Sequence, residues 1–158
     1  GAMKIELYSE IARQRVVLCR EWIKEQGLKA TPDDMRKLRQ DIMMMNDDSP
    51  LKKIQTFEDF SYMSMLRDLV FHAQEHRFTL PQLENILHDL DLSLISLTCK
   101  KTGIMPIYFK KYPDDPNSTN LKNWHQFETE NPDIFKTMYS LSFNKGPTRK
   151  KPDWLYIK

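Results

Sequence analysis

A helix-rich α+β fold with a small three-stranded sheet is what this sequence predicts. Apolar residues recur at three- and four-residue spacing over several segments, and three short stretches carry strand patterns. The chain has 158 residues, 40% of them hydrophobic, which is enough for one compact core.

Met3 to Tyr8 predicts a strand, with Ile5 and Leu7 at alternate positions, and Ser9 is placed to cap a following helix. From Ile11 to Gln26, apolar residues including Val16, Cys19 and Ile23 mark one helical stripe, which Gly27 ends as a left-handed stop. Thr31-Pro32 opens a second helix along Met35, Leu38, Ile42 and Met45, and Asn46 to Pro50 ends it as a polar turn. Its methionine-rich end, Met43 to Met45, is either gap-filling core or an adaptable binding surface.

Thr56 to Gln74 has the strongest helical signal in the chain, through Phe57, Phe60, Met65, Leu66, Leu69, Val70 and Ala73. Thr79 and Gln82 stand at capping-box spacing before a helix buried by Leu83, Ile86, Leu87 and Leu90. Leu92 to Leu97 is short and apolar between Asp91 and Lys100-Lys101, so it predicts a strand. Ile104 to Tyr112 is helical in pattern, with Pro106 leaving its start open. Pro113 to Asn120 is a loop, and Asn120 caps a helix carrying Leu121, Trp124, Phe127 and Glu128. Tyr139, Leu141 and Phe143 then alternate with Ser140, Ser142 and Asn144 in a last strand.

Residues 1–3 read as an expression remnant, 4–145 as one domain and 146–158 as a basic tail. No apolar run approaches the ~20 residues of a membrane-spanning helix, and no leader opens the chain. Cys19 and Cys99 have no CxxC spacing, so neither a disulfide framework nor a zinc knuckle is indicated, and a cytoplasmic setting is expected. The net charge of +2 argues against a nucleic-acid partner.

The 4 glycines lie far apart, so no glycine-rich turn is available to cradle a phosphate or admit a cofactor. One string carries possible chemistry. His72-Ala73-Gln74-Glu75-His76 is an HxxEH pattern which, if helical, sets two imidazoles one turn apart with a carboxylate beside them, a zinc-binding spacing. A third ligand is needed, for which Glu128 or Glu130 are the acidic candidates. The competing reading is a helix C-terminus at which His76 and Arg77 offset the dipole. His125 and Glu128 repeat the H-x-x-E spacing, and a packed aromatic helix explains that pair.

Three sets of residues resemble one family, in the family's order: Leu7 to Arg13; Leu66 to Pro81; and Tyr112-Pro113-Asp114-Asp115 with Trp124-His125, Phe127-Glu128, Asn131-Pro132, Phe135 and Met138-Tyr139. The chain is similar over residues 4 to 145 to bacterial class I S-adenosylmethionine-dependent methyltransferases joined to tetratricopeptide repeats. It departs from them at Glu6, where glycine is expected, and in its tail.

The resemblance implies the C-terminal half of a Rossmann-like sheet of strand order 3-2-1-4-5-7-6. Met3 to Tyr8 would be strand five, Leu92 to Leu97 strand six and Met138 to Asn144 strand seven, in a mixed three-stranded sheet. The cofactor-binding half would lie upstream, so this chain would hold no cofactor and would be inactive alone. Tyr8, Arg13, His72, Glu75, His76 and Arg77 would shape or cover the methyl-acceptor pocket, since ligands gather at the C-terminal ends of parallel strands. The implied partners are the missing half or the tetratricopeptide region. A second copy could pair along the open edge of Met3 to Tyr8. Two other readings stand beside this one: a helical protein-interaction module docking through the methionine-rich and Trp124 helices, and a small metal-dependent hydrolase using His72, Glu75 and His76.

Overall fold

A computed structural model describes residues 1–72 and 74–146. In chain order its elements are β1 (Ala2–Ser9), α1 (Gln14–Glu25), α2 (Pro32–Met44), α3 (Met63–Phe71), β2 (Arg77–Phe78), α4 (Leu80–Asp89), β3 (Leu92–Thr98), α5 (Ile104–Lys111), α6 (Leu121–Glu130) and β4 (Tyr139–Lys145). Two 3-10 turns, Lys52–Thr56 and Glu58–Ser61, lie between α2 and α3. The architecture is α+β and rich in helix, as the apolar spacing predicts. Among the described residues, no helix is long and apolar enough to cross a membrane. Backbone contacts divide the chain into two compact units: residues 1–12 with the chain from His76 onward, and residues 13–75.

The first unit is built on a mixed sheet of order β2-β1-β4-β3. Its register runs Leu7 against Tyr139 to Ala2 against Asn144 for the antiparallel pair of β1 with β4. On the other side of β4, Leu92 pairs with Lys145 and Thr98 with Ser140, also antiparallel, with a register shift between Leu94 and Ser96. The sheet has four strands rather than the three expected. The extra strand, β2, pairs Arg77 and Phe78 in parallel with Tyr8 and Ser9, and its two residues are too few to leave an alternating pattern in the sequence. Ala2 and Met3, set aside in the sequence reading as a remnant, take part in β1.

Helix α4 starts as its residues dictate, with Thr79 Oγ1 accepting from the Gln82 amide and the Gln82 side chain accepting from the Thr79 amide. Leu80, Leu83 and Leu87 face the core, whereas Ile86 and Leu90, expected to be buried, are 39% and 59% exposed. The inward stripe follows 80-83-87; Ile86 stands about 100° round the helix from Leu87, and Leu90 is the C-cap, beyond the last helical residue. Pro106 is the third residue of α5, in the first turn, where its missing N–H leaves no helical bond unmade. The Pro113 to Asn120 loop is tied down by Asp115, which accepts from the Tyr108 hydroxyl at 2.6 Å and from the Thr119 and Asn120 amides at 3.0 Å each. Asn120 then caps α6 through bonds from the Lys122 and Asn123 amides. Tyr108 and Trp124 stack with ring centroids 3.9 Å apart in the middle of this core.

The second unit has its own core, drawn from α1, α2, the 3-10 turns and α3. Gly27, at φ +65°, ends α1 in the left-handed conformation that a side chain resists. Thr31 Oγ1 accepts from the Asp34 amide and Pro32 opens α2, which buries Met35, Leu38 and Ile42. The single helix expected over Thr56 to Gln74 is not found. Ile54, Phe57 and Phe60 are spaced by three, which is the period of a 3-10 turn, and Tyr62 is extended before α3 begins. Ala73, placed in that helix by the sequence reading, and residues 147–158 of the basic tail lie outside the described residues.

Candidate functional site

In the first unit the C-terminal ends of the parallel pair β1 and β2 come together. Tyr8 stands opposite Arg77 and Ser9 opposite Phe78, and the Glu10 amide donates to the Phe78 carbonyl at 2.9 Å. Arg77 donates through Nε to Glu10 at 3.0 Å. Two of the six predicted pocket residues, Tyr8 and Arg77, are therefore neighbours here, both half-buried. His76 is exposed just ahead of β2.

Directly behind this strand end lies a polar cluster that the sequence reading did not assemble. Ser9, Glu128 and Tyr139 are buried, and Glu128 accepts from the Ser9 hydroxyl through Oε1 and from the Tyr139 hydroxyl, at 2.7 Å, through Oε2. Ser9 was expected to cap the first helix. Its Oγ does accept a backbone N–H, that of Ala12 at 2.9 Å, but this closes a turn ahead of α1, whose first residue is Gln14 and whose N-cap, Arg13, has no side-chain cap. Burial pushes the Glu128 carboxyl up from its ordinary range, and the bonds from Ser9 and Tyr139 only partly oppose this. Burial, and after it the Glu128 charge, also pushes the Tyr139 phenol up. One sequence signal pointed here: Glu128 sits on the apolar stripe of Trp124 and Phe127.

In the second unit Arg13 and Glu75 form a buried ion pair, with Arg13 Nε donating to Glu75 Oε1 at 3.2 Å. Arg20, absent from the predicted set, joins them by donating to Glu75 Oε2 at 3.1 Å and to the Leu69 carbonyl at 2.8 Å. The Arg13 guanidinium also stands 5.7 Å from the centre of the Phe57 ring. Burial raises the Glu75 carboxyl, but Arg13 and then Arg20 outweigh it and hold the group below its ordinary range.

The described residues of the HxxEH string, His72 and 74–76, are not helical. Helix α3 ends at Phe71, His72 is its extended C-cap, and residues 74–76 have no helical hydrogen bonding, so two imidazoles are not set one turn apart on a helix. His72 is exposed, and Glu75 is engaged with arginines. Among the described residues, no three His, Cys, Asp or Glu side chains group closely enough to hold a metal ion. The acidic candidates for a third ligand are otherwise occupied, Glu128 by Ser9 and Tyr139 and Glu130 by Lys111.

An open groove of about 490 Å³ also occurs in the first unit, lined by residues of α4, β3 and the start of α6, including Leu87, Leu92, Leu94 and Lys122. Its strand wall is the end of β3 that pairs with Asn144 and Lys145, level with Ala2. It is therefore at the opposite end of the sheet from Tyr8 and Ser9. No protein-family model matches this chain, and no curated protein sequence matches it.

Proposed function

We propose that this chain is the acceptor-recognition and lid portion of an S-adenosylmethionine-dependent methyltransferase whose cofactor-binding half is separate polypeptide. The observation that carries the reading is strand order with direction. In β1-β4-β3 the last described strand lies antiparallel between the first and the third, as strand seven lies between strands five and six in the family the sequence resembles. The connection from β1 supports it too. In chain order residues 13–75 follow the C-terminal end of β1, the kind of strand end after which α/β folds carry their ligand-binding segments.

On this reading Tyr8 and Arg77 line the acceptor side, and the inserted helical unit selects the acceptor. Its Arg13-Glu75-Arg20 network keeps the start of α1 rigid. S-adenosylmethionine would be held by the missing half, and the finer assignment of β1, β3 and β4 to strands five, six and seven belongs to this proposal.

Titration calorimetry tests it. This chain alone is expected to give no heat with S-adenosylmethionine, and joined behind its cofactor-binding half it should bind the cofactor and transfer methyl groups. Replacing residues 13–75 by a short linker in that joined protein should leave cofactor binding intact and abolish transfer. Binding by the isolated chain would sink the proposal.

A protein-interaction module is the second reading, favoured by Met43 and Met44 of α2, which are 60% and 84% exposed. A partner captured by this chain alone, and lost with Met43→Ser and Met44→Ser, would favour it over the first.

A further inference from the structure

Three segments remote in sequence converge on one carboxyl group in the first unit: Ser9 at the end of β1, Glu128 near the end of α6, and Tyr139 at the start of β4. Glu128 and Tyr139 are fully buried, as is Ser9. Among the described residues no cation acts on Glu128, and what bears on it is burial and two hydroxyl donors. The charged groups of the surrounding elements are engaged elsewhere. Glu10, following β1, bears on Tyr139 but is bound by Arg77 of β2, and Glu130 on α6 is paired with Lys111 of α5. His125, one turn earlier on α6, makes no bond to Glu128.

A buried carboxylate without a countercharge is unfavourable, and hydroxyl donors offset only part of that cost. Proton count is the second constraint. The two contacts to Glu128 use the hydroxyl protons of Ser9 and Tyr139, so a third proton needs a third place. Ser9 and Tyr139 meet at the two oxygens of the same carboxyl group, and Ser9 also bears on the Tyr139 phenol.

We propose that Ser9, Glu128 and Tyr139 form a buried proton latch that holds the C-terminal end of β1, fastened when Glu128 is protonated and loosened when it is ionised. In the fastened form Glu128 donates to Tyr139, Tyr139 to Ser9, and Ser9 to the other carboxyl oxygen. All three protons are used, and Ser9 keeps its second lone pair for the Ala12 N–H. The proton exchanges with solvent, and no other covalent bond changes. The latch belongs to the first unit alone and does not depend on the methyltransferase reading. Under that reading it would fix the strand end nearest the methyl acceptor.

The folded-state carboxyl lies above its ordinary range. The penalty of ionisation is therefore absent below that range and complete above the raised value, so this group adds stability as pH falls between the two. Other carboxylates titrate in the opposite sense, and the test is a difference between the wild-type chain and E128Q, which is neutral at every pH. The thermal midpoint of wild type minus that of E128Q is expected to rise by about 3 °C as the medium is taken from about pH 8 to about pH 5. A difference that stays constant or falls overturns the latch.

A second measurement does not depend on the stability of any variant. In the wild-type chain the Glu128 side-chain carboxyl carbon, identified by its loss from the spectrum of E128Q, should titrate above the ordinary glutamate range, and the Ala12 amide should become at least about tenfold more protected on the acid side of that midpoint. Titration at or below the ordinary range, or Ala12 protection that ignores the midpoint, overturns it equally.

Discussion

Glu75 and Glu128 are both buried carboxyl groups, and their neighbours send them in opposite directions. Glu75 stands between two guanidiniums and is held low, whereas Glu128 is pushed up by burial and, among the described residues, is met by two hydroxyls. The pH signatures are therefore opposite. Stability from Glu75 is present above the ordinary glutamate range and is lost as pH falls through its depressed value. Removing the carboxylate leaves Arg13, only 4% exposed, as a buried charge without this partner. Glu75→Ala is expected to destabilise the chain by about 3–5 kcal/mol, measured as a lower urea midpoint at unchanged slope. A loss below about 1 kcal/mol would mean that the pair is no stronger than a surface salt bridge.

Helix starts show how directly local chemistry sets an element. The Thr79–Gln82 box satisfies two amides at once, and Thr79→Ala should cost about 1 kcal/mol, with faster hydrogen exchange at the Gln82 amide. An unchanged exchange rate would assign the start of α4 to packing of Leu80 and Leu83 instead. Helix α3 shows the reverse. Its apolar residues extend back to Phe57, but the spacing of three through Ile54, Phe57 and Phe60 suits 3-10 turns, and only Leu66, Leu69 and Val70 keep the three-and-four spacing of an α-helix. Apolar content was legible there, and the period decided the structure.

At the scale of the whole molecule, β2 covers β1 only at Tyr8 and Ser9. Residues 2–7 of β1 pair with β4 on one side and have no strand partner on the other among the described residues. Such an edge invites pairing with a second copy or, under the proposed methyltransferase reading, with a cofactor-binding half of the sheet. Light scattering of this chain should show mass rising toward a dimer with concentration, and the rise should vanish when the cofactor-binding half is joined ahead of β1. A strict monomer at the highest concentration would count against both expectations. The two cores belong to two units, yet no proline- or glycine-rich linker marks either boundary, since the chain passes between them at Ala12-Arg13 and Glu75-His76.

Sequence alone determined the helix caps at Thr31, Thr79 and Asn120, the left-handed stop at Gly27 and the alternation of Tyr139, Leu141 and Phe143. Each is a relation among residues a few positions apart, written in hydrogen-bond chemistry and side-chain period. Of the predicted site, Tyr8 with Arg77 and Arg13 with Glu75 are brought together, while His72 and His76 stand on exposed, non-helical chain. Tertiary structure decided the rest: that β2 exists, that Ile86 and Leu90 face outward, and which carboxyl groups lose water. Glu75 meets Arg13 across 62 residues and Glu128 meets Ser9 across 119, and no local pattern records such a meeting, because burial and charge pairing arise only when distant segments pack.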